Sequence, residues 1–213
     1  EWVASSLWKT PEKYFLSRRP SRGRRGDLLS ECPPPGTVLS WIHRPEGTRM
    51  DAADFRFDSP WGPIYGYFSA LGLQTLCLPD PRRPLAPYML HSRHNRVWGK
   101  RLETLFADYF AGVIVDFREV PLDWAGGTPF QRGVWTAARD LPWGQTVSYG
   151  ELARRIGTPG AARAVGAALG ANPTAIVVPC HRVLAANAAL GGFSCGLDWK
   201  RRLLALEGVP FKE

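Results

Sequence analysis

The sequence predicts an α+β fold in two parts, a small mixed α/β unit followed by a helical unit of winged-helix or helix-turn-helix type. Three observations lead there. Apolar runs of strand character between residues 56 and 78 give way to a helical period near residue 98. From residue 128 onward the chain reads as short helices separated by cap residues, Gly and Pro. The 213 residues, 45% hydrophobic and including nine Trp, suffice for one large core or two small ones.

Residues 1–48 alternate basic, Pro-rich and turn-forming stretches, as in Arg18-Arg19-Pro20-Ser21 and Pro33-Pro34-Pro35-Gly36, with no apolar period. They read as a flexible basic extension. Within residues 49–122, the runs 64–70 and 73–78 flank Leu71-Gly72 and predict a hairpin. Trp98, Leu102, Leu105, Phe106 and Tyr109 fall on one helical stripe, and a last strand is expected near residues 113–117. Trp124-Ala125-Gly126-Gly127 reads as the linker to a second unit over residues 123–213.

That unit opens with Thr128, Pro129 and Gln131, the pattern of a capping box with Pro at the first helical position, for a helix ending at Leu141-Pro142. Ser148 and Glu151 repeat the pattern for a helix over residues 149–156, stopped by Gly157. Thr158-Pro159 is expected to cap a third helix over residues 160–171, which Pro173 ends. Two short helices across a tight Gly/Pro turn make a helix-turn-helix. The third helix is built almost wholly of small residues, with Arg163 as its one long polar side chain. Such a surface serves close packing against a neighbouring helix, or a close approach to a nucleic-acid groove.

Net charge is +8, and its placement matters more than its size. Residues 1–26 carry seven Lys/Arg against two Glu, and residues 123–213 carry ten against six, whereas residues 27–122 are nearly balanced. The excess at the two ends favours a polyanionic partner, nucleic acid first. No run approaches the ~18 apolar residues of a membrane span, and no secretion-signal pattern opens the chain, so an intracellular, cytoplasmic protein without membrane contact is expected. Cys32, Cys77, Cys180 and Cys195 form no CxxC pair, which suits neither a disulfide framework nor a four-Cys zinc site.

Val177-Val178-Pro179-Cys180-His181-Arg182-Val183 is the chemical centre of the sequence. A neighbouring Cys and His alone read first as a buried structural thiol and a core imidazole, since adjacent side chains usually point in different directions. The order of motifs around them is more specific. The small-residue helix and Asn172-Pro173 precede Pro179-Cys180-His181-Arg182-Val183, and Gly191-Gly192-Phe193-Ser194 and a stretch from Lys200 to Glu207-Gly208 follow it. In this order they resemble the O6-alkylguanine-DNA alkyltransferases, the methylated-DNA–protein-cysteine methyltransferases, over residues 128–208. Ser59-Pro60-Trp61-Gly62-Pro63-Ile64 and Gly72-Leu73 extend the likeness more loosely over residues 54–122.

The resemblance implies an RNase H-like fold for the first unit and a suicide repair reaction, one turnover per molecule without a cofactor. Cys180 would take the alkyl group from O6 of guanine in double-stranded DNA; O4-alkylthymine stays open as a second substrate. His181 would accept the thiol proton through a water and Glu207 would orient the imidazole. Tyr149 would protonate the departing guanine, and Asn172 would tie the recognition helix to the acceptor segment. Val183, Leu169, Phe193 and Ser194 would line the base pocket together with Tyr149. Arg163, with Ala162, Ala164 and Gly166 along the same helix, would enter the minor groove, Arg163 filling the space of the flipped base. A monomer is expected.

Three departures from the family pattern stand out: Cys195 in place of a usual Gly, Asn187-Ala188 in place of a Gly-containing turn, and Gly170-Ala171 in place of a more basic pair. No metal is expected: His91 and His94 lie three apart, but Cys32 and Cys77 are remote from them in the chain and no fourth ligand is evident. Two further readings remain: a lesion-flagging module, which in alkyltransferase-like proteins lacks the acceptor Cys, and a thiol hydrolase, for which no oxyanion motif is evident.

Overall fold

The computed structural model describes residues 52–80, 88–89 and 96–212. The extension over residues 1–48, with Cys32, and the pair His91 and His94 lie outside the described residues. Strands β1 (Ala52–Ala53), β2 (Phe55–Ser59), β3 (Gly62–Phe68), β4 (Leu73–Cys77) and β5 (Tyr88–Met89) precede helix α1 (Arg96–Phe110). β2, β3 and β4 form an antiparallel sheet in that order, and β1 pairs in parallel with β5. The expected hairpin is β3–β4. β2 joins β3 through a turn in which Ser59 Oγ donates to the Gly62 carbonyl at 2.6 Å.

Helix α1 buries Leu102, Leu105, Phe106 and Tyr109 of the stripe read from the sequence, with Trp98 partly buried at its start, and Phe106 meets the Phe55 ring with centroids 5.9 Å apart. The strand expected near residues 113–117 does not form: residues 113–116 are irregular and a short 3₁₀ turn, Phe117–Glu119, follows. A strand needs a free sheet edge, and the outer edge of β4 is used by a later segment. Leu73 N donates to the Pro121 carbonyl at 2.8 Å, and Asp123 N donates to the Leu73 carbonyl at 3.0 Å. Gly72 permits this approach, because a Cβ there would lie 2.4 Å from the Pro121 carbonyl oxygen. Val113 and Ile114 are left exposed.

The second part comprises α2 (Pro129–Arg139), β6 (Val147–Ser148), α3 (Tyr149–Arg155), α4 (Ala162–Gly170), β7 (Val183–Leu184) and α5 (Leu197–Leu206), with β6 and β7 paired in parallel. Thr128 and Gln131 make the full capping box of α2. Ser148 caps α3, but Glu151 turns away to pair with Arg154 and Arg155, so that box is half made. Thr158 does not cap α4. Its amide and its hydroxyl both donate to the Ala153 carbonyl, closing α3, while α4 starts at Ala161 without a side-chain cap. A continuous apolar core runs from Phe55 through α1, α2 and α4 to Leu203. Leu76 N donates to the Pro173 carbonyl and Trp199 Nε1 to the Pro79 carbonyl, each at 2.8 Å, so the β-sheet side and the helical side are bonded directly.

Candidate active site

Cys180 opens one turn of 3₁₀ helix, Cys180–Arg182, directly after Pro179, and is 5% exposed. The approach to it is strained: Ile176, a buried β-branched residue, holds φ at 79°, a conformation that costs about 1–3 kcal/mol. Bonds from Val178 N to the Thr174 carbonyl (2.9 Å) and from Cys180 N to the Val178 carbonyl (2.8 Å) hold the segment in this shape. Asn172, buried just past the end of α4, spans the gap. Its Nδ2 donates to the Val178 carbonyl (3.0 Å) and to Cys180 Sγ (3.2 Å), while its Oδ1 accepts from Thr174 N (3.0 Å).

Glu207, buried at the end of α5, gathers the charged groups. Its Oε1 lies 2.8 Å from His181 Nε2, and Arg182 donates through Nε to Oε2 and through Nη2 to Oε1, both at 2.8 Å. Burial alone would raise this carboxyl, but the hydrogen bonds and charges of His181 and Arg182 outweigh it and hold Glu207 well below the usual carboxylate range. An ionised carboxylate only accepts, so the neutral His181 ring must carry its proton on Nε2. Nδ1 is then the free base. It is buried and has no hydrogen-bond partner in the protein among the described residues.

Burial pulls the His181 imidazole below its ordinary value despite the carboxylate beside it. It is therefore neutral and able to accept a proton at pH 7. Burial likewise pushes the Cys180 thiol up, against smaller opposing effects of the Asn172 bond and the Lys200 charge. Such a thiol needs a base to become a nucleophile. Cys195 is pushed up to about 12, by burial first and by nearby Cys180 second, and among the described residues no imidazole bonds to it.

Tyr149 opens α3 and turns its ring toward the segment after β7. Its hydroxyl donates to the Gly192 carbonyl at 3.4 Å, and a Cβ on Gly191, whose φ is +65°, would stand 3.0 Å from that ring. Burial and the Cys180 charge raise the phenol, which keeps its proton at neutral pH. Phe193 is half-buried against the core, and Ser194 is exposed. Val183 is buried, and its carbonyl already accepts from Lys200 Nζ at 2.7 Å.

On α4, Arg163 and Ala164 face outward with Ala167, Ala162 and Gly166 lie at the margins, and Val165, Ala168 and Leu169 turn into the core. Trp135 Nε1 of α2 donates to the Ala168 carbonyl at 2.8 Å and fixes the buried side of the helix. Asn187 and Ala188, at φ of 59° and 61°, form a left-handed turn without Gly. Among the described residues no three His, Cys, Asp or Glu side chains converge as metal ligands, and no helix is long and apolar enough to cross a membrane. A cleft of about 250 Å³ lies on another side of the acceptor segment, lined by Trp143, Ile176, Pro179 and Arg182 but not by Cys180.

Cys180, His181, Asn172 and Glu207, expected together from sequence, lie together as two bonded pairs, Asn172–Cys180 and His181–Glu207, joined through the Cys180–His181 chain. Three members were given no role there: Arg182, Lys200 and Tyr109. Lys200 is fully buried, donates to the carbonyls of Val183 (2.7 Å) and Gly192 (3.3 Å), and is pulled down to about 8 by burial. A signal for it existed. Lys200, Leu203, Leu204 and Glu207 share one stripe of α5, so two charged residues sit on an apolar face.

A buried thiol with an imidazole–carboxylate pair, carried beside a helix-turn-helix, is the arrangement found in this chain. The comparisons are specific. The family described as "6-O-methylguanine DNA methyltransferase, DNA binding domain" matches residues 129–209. A methylated-DNA–protein-cysteine methyltransferase of Mycolicibacterium paratuberculosis is 54% identical over 116 residues, 54% of this chain and 68% of the relative. One from Methanosarcina acetivorans is 41% identical over 155 residues, 71% of this chain and 96% of the relative. The crystal structure of Mycobacterium tuberculosis OGT in complex with DNA superposes with a TM-score of 0.62 at 41% identity, covering 71% of this chain and 90% of that one. The chain belongs to the methylated-DNA–protein-cysteine methyltransferase family.

Proposed function

We propose that this protein repairs O6-alkylguanine in double-stranded DNA by moving the alkyl group to Cys180, once per molecule. The observation that carries the proposal is the tautomer forced on His181. With Nε2 committed to Glu207, Nδ1 is a buried free base in the residue next to a thiol that is not ionised by itself. A water between Nδ1 and Sγ would relay the proton. The thiolate then attacks the alkyl carbon in line: the S–C bond forms, the C–O6 bond breaks, and its electron pair stays on the guanine. Tyr149 donates a proton to that base. The thioether has no route back to a thiol, which limits each molecule to one transfer.

Chemistry inside the protein requires a base taken out of the duplex. We assign the outward face of α4 to the minor groove, Arg163 taking the place of the flipped base and Ala162, Ala164 and Gly166 allowing close approach to the backbone. Val183, Leu169, Phe193 and Ser194 would surround the base with Tyr149. The two-unit division at residues 49–122 and 123–213, action as a monomer, and work inside the cell on chromosomal DNA belong to the same reading.

The test is incubation with a duplex bearing one O6-methylguanine, followed by intact mass and peptide mapping, with Cys180→Ser alongside. One methyl on the Cys180 peptide, saturating at one per molecule and missing from the variant, is expected. Tight lesion binding without mass gain would instead identify a lesion-flagging module, and methyl on Cys195 would reassign the acceptor.

A further inference from the structure

Helix α1 belongs to the part of the chain outside the helix-turn-helix, yet one of its residues reaches the reactive cluster. Tyr109 is fully buried, with its ring held edge-on by Phe110 (centroids 5.4 Å apart) and Trp143 (5.1 Å). Its hydroxyl donates to Glu207 Oε1 at 2.8 Å, the same oxygen that faces His181 Nε2, and lies 3.5 Å from that nitrogen. Burial raises the phenol well above its ordinary value, and the Glu207 charge adds to this, so the hydroxyl keeps its proton and donates it to Glu207.

We propose that Tyr109 is a positioning residue of the acceptor relay, fixing the Glu207 carboxylate so that His181 presents Nδ1 toward Cys180; the inference rests on the function proposed above.

The hydrogen-bond inventory supports it. Arg182 grips the carboxylate along one edge through Nε and Nη2. A bidentate grip sets the plane of the carboxylate but also draws it toward the guanidinium. Tyr109 is a side-chain donor that comes from a different element, α1. It anchors Oε1 beside Nε2, with only a 3.4 Å bond from Gly144 N to complete the Oε2 side. The hydroxyl has a second consequence. When the imidazole takes the thiol proton, an imidazolium forms against Glu207, and the donors on that carboxylate determine how strongly it holds the cation. Arg182 and Lys200 oppose the imidazolium by charge and Glu207 favours it; the hydrogen bond from Tyr109 disperses part of the Glu207 charge. Without the hydroxyl the carboxylate is more basic, the imidazolium is better stabilised, and His181 protonates at higher pH.

The experiment is single-turnover methyl transfer by the full chain from an O6-methylguanine duplex, measured from pH 5 to 9 for the wild type, Tyr109→Phe and Phe117→Leu. The Phe117 ring packs on Tyr109 at 5.5 Å but makes no bond to the relay, so Phe117→Leu reports the cost of disturbed packing alone. Tyr109→Phe should slow transfer roughly 10-fold or more, leave the affinity for the lesion duplex unchanged, and move the acid limb of the rate profile to higher pH. Phe117→Leu should leave that limb where it is. An unshifted limb in Tyr109→Phe, or the same shift in both variants, would overturn the inference and assign Tyr109 to packing. Absence of methyl transfer in the wild type would instead remove the underlying function, so the two failures are distinguishable.

Discussion

At the residue scale the informative feature is a carboxylate on the wrong side of its helix. Glu207 ends α5, where an acidic group opposes the helix dipole, and it is buried. The structure resolves the conflict by bonding it to His181, Arg182 and Tyr109 at once. Glu207→Gln keeps the shape but strands the Arg182 charge, and should cost about 3–5 kcal/mol in urea unfolding. The same cluster makes stability depend on pH. Glu207 and His181 both have folded-state values below their ordinary 4.5 and 6.5. In each case the unfolded chain binds protons more readily, so stability falls as pH falls. The decline should begin below about pH 6.5 as the unfolded imidazole charges, and steepen below about 4.5 as the unfolded carboxyl protonates. In Glu207→Gln the lower step should be shallower, with only the smaller contributions of Asp116, Asp123 and Glu151 left. A urea midpoint that stays flat from pH 7 to 4 in the wild type would contradict the assignment.

At the element scale, the proposed function asks α4 to meet two demands in nine residues: an inner face that packs and an outer face small enough to lie against a duplex. Val165, Ala168 and Leu169 meet the first, Ala164 and Ala167 the second. A carboxylate on the outer face should therefore damage function without damaging the fold. Ala164→Glu and Ala167→Glu are expected to weaken duplex binding about 10- to 100-fold, through added charge and bulk against phosphates, while thermal stability moves within about 0.5 kcal/mol. Equal losses of stability and binding would mean that this face packs rather than binds. Much of the element pattern was legible: the β3–β4 hairpin, the α1 stripe and the Thr128 capping box follow from local rules. What failed was non-local. Nothing near residues 113–117 says that β4's edge is bridged by Leu122, and nothing near Thr158 says that its hydroxyl turns back to Ala153. The candidate site divides likewise. Cys180, His181, Asn172 and Glu207 came as candidates from the resemblance that the motif order carries, and Lys200 had a signal in its place on an apolar stripe. Tyr109 was not, because a tyrosine on a buried stripe gives no sign of where its hydroxyl ends.

At the scale of the whole molecule, the question is whether the division at residue 122 is also a division in stability. The linkage across it is extensive. Leu76 bonds to Pro173, Trp199 to Pro79 and Tyr109 to Glu207, and Trp61 meets Trp199 edge-on with centroids 5.1 Å apart. Several of these bonds are buried, where leaving a partner unsatisfied costs about 1–3 kcal/mol each. Either unit unfolding alone would expose the core face it shares with the other and break these bonds for no gain in the remaining fold. Heating the full chain should therefore give one cooperative transition for the described residues, with calorimetric and van't Hoff enthalpies that agree. Trp61→Ala, on the sheet side, and Trp135→Ala, on the helical side, should both lower that single midpoint, each by about 3–5 kcal/mol of stability. If Trp61→Ala splits the transition into two while Trp135→Ala moves only one of them, the sequence boundary marks independent domains. The Tyr109 hydroxyl would then join the relay only while both were folded.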